Sequence, residues 1–164
     1  VKGVEPGGVF PWSADLSFIL DTPVGALNLP VRKSGEIPVP TVPKIKLNDI
    51  SWGSISLDSA SAVLDIGIEN TNSFPIDLAS FDYGFEIAGV RLAGARVEKG
   101  ARFDEGGSGS LRIPISFSPK SLGLAGMKLI TGGKFDYRLA GSMAAGTPFG
   151  DLEFPFDKKG RGER

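Results

Sequence analysis

Residues 62–87 read A-V-L-D-I-G-I-E-N-T-N-S-F-P-I-D-L-A-S-F-D-Y-G-F-E-I, and this stretch restricts the fold more than any other. Ala62, Leu64, Ile66 and Ile68 fall on one face of an extended segment, with Asp65 and Glu69 on the other. Phe81, Tyr83, Phe85 and Ile87 repeat the alternation after a break at Asn70-Thr71-Asn72-Ser73-Phe74-Pro75. Period two on both sides of an Asn/Pro corner predicts two half-buried strands joined by a tight, irregular turn.

The same reading extends along the chain. It predicts strands near 44–52, 61–70, 79–88, 91–99, 109–117, 133–142 and 150–157. Gly89 and the run Asp104–Gly109 mark hairpin loops. Leu111, Ile113, Ile115 and Phe117 offer another inward face opposite Arg112 and Ser116. Pro114 removes a ladder donor there, which favours an edge strand or a bulge. One helix is expected from 119 to 130, capped by Ser118, started by Pro119 and ended by Gly132-Gly133. Leu122, Ala125, Leu129 and Ile130 form its apolar stripe. The expected fold class is all-β: an antiparallel two-sheet sandwich with one short helix near 119–130.

An internal repeat divides the chain. Residues 22–35, T-P-V-G-A-L-N-L-P-V-R-K-S-G, align without gaps on residues 147–160, T-P-F-G-D-L-E-F-P-F-D-K-K-G, a spacing of 125 (147 − 22). Seven of the fourteen positions are identical, and Trp12 meets Tyr137 at the same spacing. Chance alone gives about one identity in fourteen. The repeated unit is a strand, a T-P-x-G turn and a second strand, as in a closing hairpin. Residues 1–40 are therefore expected to be the closing β-hairpin remnant of a preceding domain copy, with a stiff Pro-rich linker running to about 43. Residues 44–164 are expected to form a complete copy. Chance or convergent recurrence of a T-P-x-G hairpin is the alternative.

Chemistry is sparse. The chain has no histidine and no cysteine, which removes imidazole acid–base catalysis, thiolate nucleophiles, ordinary zinc sites and disulfides. Lys+Arg number 18 against Asp+Glu 19, so no net field steers the protein to nucleic acid. Asp104-Glu105-Gly106-Gly107-Ser108-Gly109 lacks the Lys-Ser/Thr of a phosphate loop and the spacing of a calcium loop, and reads as a hairpin tip. Asp82 and Glu86 share one strand face, but alternation places that face in solvent. Lys158-Lys159-Gly160-Arg161 reads as a solvated basic tail. Trp12, with Ala14, Leu16, Phe18 and Leu20, forms an apolar face that needs a mate, either an edge of the complete domain or a second molecule in a dimer formed through this hairpin. Asn70 and Asn72 read as turn formers whose side chains satisfy backbone groups.

At the corner Asn70-Thr71-Asn72-Ser73-Phe74-Pro75, followed by Phe81-Asp82-Tyr83-Gly84-Phe85-Glu86-Ile87-Ala88-Gly89, the chain resembles a known family. It is similar to the water-stress and hypersensitive-response (WHy) domain of type 2 late embryogenesis abundant proteins, bacterial members in particular. Family members carry N-P-N-x-F/Y-P and then L-x-Y-x-L/V-x-I/V-x-G; Thr71 departs from the usual proline. The resemblance runs over residues 44–157 and makes Asn70, Asn72, Phe74, Pro75, Tyr83 and Gly89 structural family positions.

The resemblance implies a fibronectin-type-III-like sandwich and a non-catalytic role in tolerance of desiccation or freezing. The implied partners are client proteins or membrane surfaces, met through weak contacts, with no cofactor. It also implies an exported, periplasmic or lipid-anchored location in preference to the cytoplasm. The competing expectation is a structural or adhesion module of a cell-envelope protein.

Overall fold

The computed structural model describes residues 5–98 and 100–163. The first four residues, Lys99 at the end of the predicted 91–99 strand, and Arg164 lie outside the described residues. The chain divides into two compact units, residues 1–41 and 42–164.

The first unit is one hairpin, β1 (Val9–Thr22) and β2 (Gly25–Pro38), paired antiparallel along its whole length. Directly opposed residues share a face. Phe10, Trp12, Ala14, Leu16, Phe18 and Leu20 therefore lie on the same side as Leu27, Leu29, Val31 and Ile37. Ser13, Asp15, Ser17, Asn28, Arg32 and Ser34 lie on the other.

The second unit contains two antiparallel sheets. One has the order β3 (Lys44–Ile55), β4 (Ala60–Glu69), β8 (Ser108–Phe117). The other has the order β10 (Gly150–Glu163), β9 (Lys134–Thr147), β5 (Ile76–Ile87), β6 (Val90–Val97), with the short β7 (Ala101–Phe103) also pairing β5. Neither sheet closes on itself. Their apolar faces enclose one core: Leu64, Ile66 and Ile68 from β4, Leu111, Ile113 and Ile115 from β8, Phe81, Tyr83, Phe85 and Ile87 from β5, and Leu139 and Met143 from β9. Burial of each such side chain contributes on the order of 1.5–3 kcal/mol. Pro114 sits on β8, an edge strand, the place in a sheet that tolerates a residue without an N–H.

The structure departs from the sequence reading at several points, one of them the run Asp104–Gly107, which is no hairpin tip and instead links β7 in one sheet to β8 in the other. The predicted helix 119–130 is two pieces, a 3₁₀ turn Pro119–Leu122 and α1 Leu124–Thr131, separated by Gly123 at φ 57°. That left-handed angle is open to glycine at little cost and interrupts the helical ladder. Ser118 makes no side-chain cap, and its hydroxyl is buried without a hydrogen-bond partner. The strands expected at 133–142 and 150–157 both run on to make one long hairpin, so Lys158–Arg161 lie inside β10 and not in a tail, although Lys158, Lys159 and Arg161 are exposed. Strand β7 is additional, a three-residue stretch too short to show a period.

Candidate functional site

The asparagine corner connects β4 to β5 and so carries the chain from one sheet to the other. Such a crossing leaves backbone groups without ladder partners in a place that water cannot reach. Asn70 is fully buried and supplies those partners. Its Nδ2 group donates to the carbonyls of Phe74 (2.8 Å), Asp104 (3.0 Å) and Phe103 (3.3 Å). Its Oδ1 accepts from the backbone N–H of Asn72 at 3.1 Å and from Asn72 Nδ2 at 3.0 Å. The Asn70 backbone N–H donates to the Gly107 carbonyl at 2.8 Å, tying the glycine-rich loop to the same hub. Phe74 turns inward and meets Phe149 edge-on at 5.2 Å between ring centroids. The polar atoms of Asn70 are thus engaged by the chain's own backbone and by the Asn72 side chain.

Asn70, Asn72 and Phe74 are brought together, with Pro75 half-buried immediately before β5. Tyr83 and Gly89 are not part of this group. Tyr83 lies in the core beside Phe81, and burial pushes its phenol above the ordinary value. Gly89, at φ 80°, forms with Ala88, at φ 51°, the two-residue turn between β5 and β6. Two positive φ angles in succession are the type I′ pattern, whose twist matches that of the flanking strands.

A broader feature occupies the outer face of the β10-β9-β5-β6 sheet. Every outward carboxylate of β5 has an arginine on a neighbouring strand: Asp77 with Arg102 (3.6 Å), Asp82 with Arg96 (3.6 Å) and Glu86 with Arg138 (3.8 Å). Arg138 also grips Asp157 on β10 with two hydrogen bonds, 2.9 and 2.7 Å. That fork holds the Asp157 carboxyl below its ordinary value and the Arg138 guanidinium above its own. Arg161 reaches Asp136 at 3.0 Å. Gly84, Gly94, Ala140 and Ser142 make a flat floor between these pairs, and the Arg91 guanidinium lies over the two glycines. The face is a mosaic of both charge signs around a shallow depression.

This mosaic was beyond sequence reasoning. Asp82 and Glu86 were recognisable as outward-facing, but their partners come from strands whose register the sequence does not state. Among the described residues, no group of three His, Cys, Asp or Glu side chains gathers as a metal site. The Asp82 and Glu86 carboxylates are each held by an arginine. Chemically, the face offers exposed charge pairs that can exchange partners.

A family model described as late embryogenesis abundant protein (LEA_2) matches residues 65–160. No curated protein sequence matches the chain. The solution structure of AT1g01470 from Arabidopsis thaliana is similar at a TM-score of 0.59 and 18% identity, over 76% of this chain and 85% of that one. The solution structure of At2g46140.1, assigned as a late embryogenesis abundant (LEA) protein, gives 0.55 and 21%, over 77% and 72%. At these identities the likeness is one of fold.

Proposed function

Because this chain belongs to the late embryogenesis abundant family LEA_2, we propose that it is a non-catalytic stress-protection domain. In this reading it is a WHy-type member of bacterial kind, folded as a fibronectin-III-like sandwich. It limits damage during drying or freezing through weak, broad contacts with destabilised proteins or membrane surfaces.

The observation that carries the proposal is the mosaic face. Its ion pairs are exposed, with side-chain accessibility of 59% and 41% for Arg96 and Asp82 and of 61% and 62% for Arg102 and Asp77. Exposed pairs of this kind are worth about 0–1 kcal/mol each. An arginine can therefore leave its carboxylate for one on a client at little net cost, and the same holds for the carboxylates. Many such exchanges give contact without tight or specific binding, and salt screens them over roughly 10 Å.

The test is recovery of a labile enzyme, lactate dehydrogenase, after freeze–thaw or drying, with this protein and with an equal mass of albumin. Recovery above the albumin control is expected, and it should fall towards that control in the triple variant Arg96→Gln, Arg102→Gln, Arg138→Gln. No advantage of the unaltered protein over albumin removes the proposal. A second reading, an assembly or adhesion module of the cell envelope, has the apolar face of the β1–β2 hairpin in its favour. Capture of one saturable partner, with no protection in the drying assay, would select it.

A further inference from the structure

The β1–β2 and β9–β10 hairpins correspond residue by residue. Each has two strands of 14 residues. Trp12 opposes Gly35 as Tyr137 opposes Gly160, and each ring lies across its glycine where a Cβ would overlap it. The turns agree as well: the Thr22 hydroxyl donates to the Gly25 carbonyl at 2.6 Å, and the Thr147 hydroxyl to that of Gly150 at 2.7 Å. Their surroundings differ. Met143, Phe154 and Phe156 are buried in the second hairpin, whereas the matching Phe18, Leu29 and Val31 of the first are 53%, 41% and 44% exposed. Among the described residues of its own unit, β1–β2 is the only sheet, so nothing there covers this face.

The β9–β10 hairpin indicates what would cover it. Strand β9 pairs with β5 over Tyr137–Gly146, while β10 is the free edge of its sheet and carries Pro155. The stretch of β1 matching the paired part of β9, residues 12–21, contains no proline, and Pro11 stands immediately ahead of it. Strand β2 carries Pro30 at the position of Pro155. Proline cannot donate to a ladder. The pattern therefore marks β1 as a strand to be paired and β2 as one to remain an edge.

One difference excludes a simple exchange between two copies of this chain. Gly141 approaches β5 so closely that a Cβ would stand 1.9 Å from the Asp82 carbonyl oxygen. The matching residue of β1 is Leu16. Put in the place of β9–β10, the first hairpin would drive Leu16 into the β5 backbone.

We propose that β1–β2 is the closing hairpin of a second two-sheet body of this family, lying N-terminal to β1 in the same polypeptide, in the order in which residues 42–131 precede β9–β10. Residues 12–21 add to the β5-type edge of that body. Trp12, Phe18, Leu29 and Val31 complete its core, and its edge strand leaves room for Leu16. The inference is independent of the protective role.

Hydrogen–deuterium exchange by mass spectrometry, with solution mass from light scattering, tests it on the full natural translation product and on residues 1–164. In the 164-residue chain, a monomer is expected, with fast exchange at the outward amides of residues 12–21. In the natural product the same amides should exchange at least ~100-fold more slowly, as those of residues 137–146 do. A natural product with no family-type body ahead of β1, or with one and no slowing, overturns the proposal. A 164-residue dimer with residues 12–21 protected assigns the face to a second copy and overturns it. A 164-residue monomer with that stretch protected assigns the face to the chain's own body and overturns it equally.

Discussion

The two hairpins share a turn, a register and an aromatic-over-glycine pair, yet one forms a wall of the core and the other presents the same pattern to solvent. Local pattern therefore specifies the hairpin, and the cover over its face comes from elsewhere. A period-two alternation says that a face is apolar, and it is silent about what lies on the other side.

Truncation at matched positions should break this comparison most sharply. Phe154→Ala should lower unfolding stability in denaturant by about 3–5 kcal/mol, the range for an aromatic removed from a packed core. Leu29→Ala, its counterpart in the 164-residue chain, should change stability by less than about 0.5 kcal/mol. Equal losses would show that the first hairpin is as well packed as the second. The asparagine corner gives the next effect, since it serves the two-sheet body alone. Asn70→Ala leaves the Phe74, Phe103 and Asp104 carbonyls short of a donor and should cost about 2–3 kcal/mol. A midpoint unchanged in urea would show that the hub is dispensable.

The smallest contrast concerns the polar side of β9–β10. The hydrogen bonds from Arg138 depress the Asp157 carboxyl in the folded state. A depressed carboxyl stabilises the fold above the ordinary carboxylate range, and that contribution disappears as pH falls through the folded-state value. In Arg138→Gln, carboxyl NMR should show Asp157 titrating higher than in the parent, and the stability difference from the parent should vanish in strong acid. An Asp157 titration identical in both proteins would dissolve the pairing.

The interior was largely legible in the sequence. Leu64, Tyr83 and Ile113 are buried because alternation is a local property, fixed by the pleat of each strand. The helix was half legible: Pro119 and Gly132 bound it, but the break at Gly123 depends on a backbone angle that a glycine permits without announcing. The charged face was hidden for a different reason. Pairs such as Glu86–Arg138 join residues far apart in sequence, and a register slip of one residue would reassign every one of them. Asn70 stood out as a turn former, but its reach to Phe103 and Asp104 required knowing that the β7–β8 loop comes alongside.

The strand margins bear on behaviour at high concentration. Pro114 interrupts β8, Pro155 interrupts β10, bulges kink β3, and the margin formed by β6 and β7 is broken between Val97 and Ala101. When water is withdrawn and molecules crowd together, a straight unbroken margin acts as a seed on which further chains stack into fibrils. Among its described residues the two-sheet body offers no such seed, so it is expected to concentrate without knitting together and to redisperse when rewetted. Among the described residues, 12–21 form the one long stretch without such an interruption, and in the 164-residue chain any thickening of a drying solution into aggregate would be expected to start there.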